Sequence, residues 1–147
     1  MKREPSKIRL GPDGTWPLRF DSLVQPILDR KCVTCHQASG DDPLAAKTDL
    51  SPGRARQTLL DYADKDLAEL VFERDASIVG ESPARQSKFL QYLNADALHR
   101  SYALTELELK RFAAWMDTYG HTQGAFSAEQ EDQLREFREQ YRDLFER

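Results

Sequence analysis

The stretch Cys32-Val33-Thr34-Cys35-His36 constrains this chain more than any other. It is C-x-x-C-H, and it holds both of the chain's cysteines and one of its three histidines. Two thiols at this spacing can add to the two vinyl groups of a haem from one short turn. The adjoining imidazole then lies under the ring as the proximal iron ligand. This reading gives Cys32 and Cys35 thioether bonds, makes His36 an axial ligand, and implies one covalent haem c. Two other readings use the same residues. A thioredoxin-like thiol pair needs a βαβ context, which the sequence does not offer. A structural zinc would take Cys32, Cys35, His36 and one distant histidine.

A chain of 147 residues is one domain with at most an appendage. Its hydrophobic content of 39% allows a modest core, to which a buried haem would add apolar surface. The net charge of −4 is spread without a basic patch, which argues against nucleic acid. No apolar run approaches the length of a membrane span. Met1 to Lys7 is charged and lacks the apolar stretch of a secretory signal. Covalent haem is attached outside the cytoplasm. The expected setting is therefore periplasmic or otherwise extracytoplasmic, with an export signal removed or carried by a longer parent protein.

Hydrophobic periodicity predicts an all-α fold in three parts. Residues 1–19 read as an irregular arm, in which Pro17 interrupts any strand through Trp16, Leu18 and Phe20. Residues 20–125 read as the haem domain and 126–147 as an amphipathic C-terminal helix. Asp21 to Lys31 is expected to be a helix carrying Leu23, Val24, Ile27 and Leu28 on one face, with Pro26 starting or kinking it. Residues 37–50 read as a loop. Ser51-Pro52 reads as the cap and first position of one broken or two consecutive helices reaching about Glu73. Residues 74–82 read as a second loop, after which Ser87 caps a helix carrying Phe89, Leu90 and Leu93. Thr105 and Glu108 form a capping box for a helix with Leu109, Phe112, Ala113 and Met116 inward and Gly120 at C′. Ser127 and Gln130 form another, opening a helix with the stripe Leu134, Phe137, Tyr141, Leu144. That stripe either folds back on the body or docks on a partner domain or a second copy, giving a homodimer.

Several of these pieces resemble one family. Val24 to His36, reading VQPILDRKCVTCH, is similar to the opening of c-type cytochrome domains abundant in planctomycete-type bacteria. Asp49-Leu50-Ser51-Pro52 resembles their D-L-x-P segment, and Glu81 to Leu90 loosely their G-S-x-x-S-x-L segment. Leu104-Thr105-Glu106-Leu107-Glu108 and Trp115 to Gly120 resemble their closing helix. The likeness covers about residues 20–125. It is nearest the cytochrome c domain of hydrazine synthase alpha subunit-like proteins, in which a histidine often precedes the closing helix. Many relatives place a Met-Pro there, and this chain has Ala97-Leu98-His99-Arg100. The Tyr that follows the motif in the hydrazine synthase catalytic haem has no counterpart among Gln37 to Gly40.

The second axial ligand has four candidates: His99, His121, Met116 and Met1. Met1 is terminal. Met116 lies on an apolar stripe, and His121 follows a helix-ending glycine. His99 precedes the Thr105-capped helix, with ample chain after His36 to wrap a ring, and the resemblance places a ligand there. The sequence therefore favours His99, giving a bis-His haem that exchanges electrons with a redox partner protein or other domains of a parent protein. On this reading the domain is not itself catalytic. The competing reading leaves the distal site open or weakly held, for small-molecule binding, sensing or peroxidase-like catalysis.

Overall fold

The structure is a computed structural model that describes residues 18–72, 78–122 and 127–145. Residues 1–17 of the expected arm lie outside it, as do 74–77 of the second expected loop. Every regular element among the described residues is helical. No helix there is long and apolar enough to cross a membrane.

The run expected as one helix up to Lys31 is two, α1 (Phe20–Leu23) and α2 (Gln25–Lys31). Val24 stands between them at φ −106°, and Pro26 falls in the first turn of α2, where its missing N–H costs nothing. Leu23, Val24, Ile27 and Leu28 are all buried, as their spacing required.

The 37–50 segment contains a single helical turn, α3 (Pro43–Ala46), that the sequence reading took for loop. The Asp42 carboxylate caps it by accepting from the Leu44 and Ala45 N–H groups, and Pro43 occupies the first position. Ser51 does not cap the next helix. Its hydroxyl donates to Asp49 Oδ1, and its carbonyl accepts from the Arg54 and Ala55 N–H groups. Helix α4 (Ala55–Phe72) begins three residues later than a Ser51 cap requires (55 − 52), and it is broken at Tyr62 to Lys65. Ala63, Asp64 and Lys65 there share positive φ values of 53°, 60° and 68°. This is the interruption that the periodicity anticipated.

Ser82-Pro83 carries the cap-and-proline signal that Ser51-Pro52 does not use. It opens the unexpected turn α5 (Pro83–Gln86). Ser87 then caps α6 (Lys88–Ala95). A 3-10 turn, His99–Tyr102, interrupts the linker to α7 (Glu106–Asp117). The capping box of α7 is complete. Thr105 Oγ1 accepts from the Glu108 N–H, and Glu108 Oε2 accepts from the Thr105 N–H at 2.8 Å. At the other end Gly120 sits one residue beyond its expected place. Tyr119 takes the left-handed C′ position at φ 66°, and the Gly120 N–H reaches the Trp115 carbonyl at 3.0 Å.

One core joins these helices. Leu23, Ile27 and Leu28 meet Leu59 and Leu67 of α4, Phe89 of α6, and Phe112, Trp115 and Met116 of α7. The Phe20 ring stands edge-on to Trp115 at 5.0 Å. Beyond it lie α8 (Ala128–Gln140), capped by Ser127, and the turn α9 (Arg142–Phe145). Arg19 ties α8 to the body through Glu131 at 2.7 Å. Leu134, Phe137 and Tyr141 stay exposed, so these three side chains do not fold back as the first of the two readings expected.

Candidate functional site

The C-x-x-C-H motif continues directly from the end of α2. The Leu28 carbonyl accepts from the Cys32 and Val33 N–H groups, ending the helix. The Cys32 carbonyl then accepts from the Cys35 and His36 N–H groups, so the motif closes into one tight turn. Both cysteines are free thiols. Cys32 is half-buried against the core edge and Cys35 is exposed.

Residues 37–50 form a closed excursion, because the Leu50 N–H donates to the His36 carbonyl at 2.9 Å. Within it, the Ala45 carbonyl faces the His36 ring, 3.0 Å from Nδ1. A carbonyl only accepts, so Nδ1 carries a proton, and in the neutral ring Nε2 is the nitrogen with the lone pair.

The 96–105 segment is brought to the motif by Lys31. Its ammonium donates to the Ala103 carbonyl at 2.7 Å and pairs with Glu108 at 2.8 Å. Arg30 adds a longer contact to the same carboxylate. Burial works to raise the Glu108 pKa, but hydrogen bonds from Lys31 and from Thr105 outweigh it and bring the pKa to about 2. Sequence reasoning placed Glu108 only in a capping box and gave Lys31 no role. The available signal was the basic pair directly before Cys32.

This clamp delivers His99 to His36. The two rings lie 5.9 Å apart between centres, tilted by 36°. His99 Nδ1 is 2.8 Å from Asp96 Oδ2. Hydrogen bonds from the His99 backbone N–H and then its ring hold the Asp96 carboxyl below the usual carboxylate range. An ionised carboxylate only accepts, so the His99 Nδ1 also carries a proton, and in the neutral ring Nε2 is the nitrogen with the lone pair. Tyr92 flanks His99 at 5.2 Å. Asp96 and Tyr92 were not singled out from sequence. A carboxylate three residues before a candidate ligand was the available clue.

The distance between the rings is of the size that a haem iron held by both would need. Two imidazoles on opposite sides of one metal, with bonds of about 2.0–2.1 Å, have ring centres roughly 6 Å apart. Ligating histidines characteristically donate their other ring N–H to a carbonyl or carboxylate, and both do so here. A haem brings four nitrogens of its own and asks the protein for two. Zinc asks for four protein donors, and no group of three His, Cys, Asp or Glu side chains assembles among the described residues. The thiol-redox reading fits no better. Burial pushes the Cys32 thiol up to about 11, whereas reactive C-x-x-C thiols are lowered. Cys32 also sits at the C-terminal, negative end of α2, which disfavours a thiolate.

The other ligand candidates are placed elsewhere. Met116 is wholly buried in the core. His121 is exposed, with its ring beside Tyr119 at 6.0 Å. Met1 lies outside the described residues. No family model matches this chain, and no match was found among curated proteins or solved structures.

Proposed function

We propose that this chain is a monohaem c-type cytochrome domain that transfers electrons by an outer-sphere route. On this proposal residues 20–125 belong with the planctomycete-type cytochrome domains they resemble. The observation that carries it is the His36–His99 pair, two imidazoles with ring centres 5.9 Å apart and with both Nδ1 atoms already engaged. Bound there, the haem supplies a one-electron ferric/ferrous couple.

The chain's residues do the rest. Cys32 and Cys35 would hold the group covalently, and His36 and His99 would ligate its iron, leaving substrates no place to bind there. Ala45 and Asp96 fix the orientation of the two rings. The Lys31–Glu108 clamp keeps the two ligand-bearing segments together although His99 lies 63 positions after His36 (99 − 36). The setting is extracytoplasmic, and the partner is a redox protein or another domain of a parent protein.

The test is a haem stain after denaturing electrophoresis together with visible spectra in both oxidation states. A positive stain and low-spin bands in the as-isolated protein are expected. A negative stain with stoichiometric zinc would overturn the cytochrome reading. High-spin bands, or ready carbon monoxide binding by the wild type, would replace electron transfer with the open-site function.

A further inference from the structure

The two imidazoles face different acceptors. His36 Nδ1–H donates to a neutral backbone carbonyl, that of Ala45. His99 Nδ1–H donates to a carboxylate. The same oxygen, Asp96 Oδ2, also accepts the backbone N–H groups of Leu98 and His99, each at 3.0 Å. One atom therefore fixes the turn that carries His99 and also receives the proton of its ring.

From this asymmetry we infer that Asp96 is a positioning residue that makes His99 the more electron-rich of the two ligands and so lowers the potential of the site. The inference rests on the bis-His reading proposed above. A hydrogen bond to an anion draws the ring proton away and leaves more electron density on Nε2 than a bond to a carbonyl does. A more basic nitrogen donor favours the ferric over the ferrous metal. The Tyr92 ring also lies beside that of His99, 5.2 Å between centres.

The two roles of Asp96 separate cleanly by substitution. Asp96→Asn keeps an acceptor oxygen for the turn, since Asn serves such positions as well as Asp. It removes only the negative charge facing the ring. The control is Asp42→Asn, which removes an equal charge from the cap of α3, the turn that carries Ala45 to His36.

The experiment is spectroelectrochemical titration of the holoprotein and both variants. Partner changes of this kind commonly act tenfold or more. Asp96→Asn should stay low-spin and shift the ferric/ferrous equilibrium about tenfold toward ferrous, a rise of about 59 mV for one electron. Asp42→Asn should shift it far less. An unchanged potential in Asp96→Asn would overturn the inference, as would equal shifts in the two variants, which would show a through-space charge effect alone. A wild type without a low-spin bis-His spectrum fails at an earlier step, and that outcome removes the reading on which the inference depends.

Discussion

Replacing Glu108 by Gln tests how the site is held together. The carboxylate is nearly buried, with 9% of its side chain exposed, and accepts from Lys31, Arg30 and the Thr105 N–H. Its pKa falls from the usual 4.5 to about 2 on folding. Each pKa unit between the folded and unfolded states is worth about 1.4 kcal/mol, so the fall corresponds to about 3 kcal/mol. The cations are partly solvated, with Lys31 23% and Arg30 56% exposed, and screening lowers the expected contribution. A realistic figure is about 2 kcal/mol. Because the folded pKa is the depressed one, this stability is fully present above about pH 4.5 and is lost as the pH falls toward 2. Glu108→Gln should therefore lower unfolding free energy by about 2 kcal/mol at pH 7, a large share of the 5–15 kcal/mol typical of a domain. The difference from wild type should shrink steadily below pH 4.5. Urea unfolding of the full chain, followed by circular dichroism at several pH values, measures both. A difference under about 0.5 kcal/mol at pH 7, within the range of ordinary surface substitutions, would refute the reasoning. So would a difference that persists undiminished at the acid end.

Three further outcomes follow from the site and the fold. His99→Ala should keep covalent haem, shift ferric iron toward high spin and let the ferrous form bind carbon monoxide, while His121→Ala should leave the visible spectrum unaltered; an unchanged low-spin spectrum in His99→Ala rejects the ligand assignment. The double variant Cys32→Ala, Cys35→Ala should lose the haem stain after denaturing electrophoresis, and a retained stain would remove the thioether assignment. Deleting residues 127–147 should leave the Soret band in place, because the segment lies outside the two ligand-bearing stretches and Arg19–Glu131 ties it to α1, not to them; a displaced Soret band would count against it.

The local code in this sequence was strong wherever one residue's side chain answers its own backbone. Thr105 and Glu108 cap α7 as their spacing required, Ser87 and Ser127 open their helices, and the apolar face of α2 is buried where periodicity placed it; in the α7 stripe Phe112 and Met116 are buried, while Leu109 and Ala113 are half-buried. The same kind of signal misled at Ser51-Pro52. Asp49, two residues earlier, captures the Ser51 hydroxyl, and the cap-and-proline pairs that open turns are Asp42-Pro43 and Ser82-Pro83. At the site, the C-x-x-C-H spacing is enough to suggest haem attachment, because the proposed chemistry needs only one turn of chain. The meeting of His36 and His99 is a different matter. It depends on Lys31 reaching Glu108 and the Ala103 carbonyl, and on Asp96 turning the His99 ring, contacts that no periodicity encodes. The exposure of Leu134, Phe137 and Tyr141 was equally open. A helical stripe states which residues share a face, and only the packing of the remaining chain decides whether that face is covered.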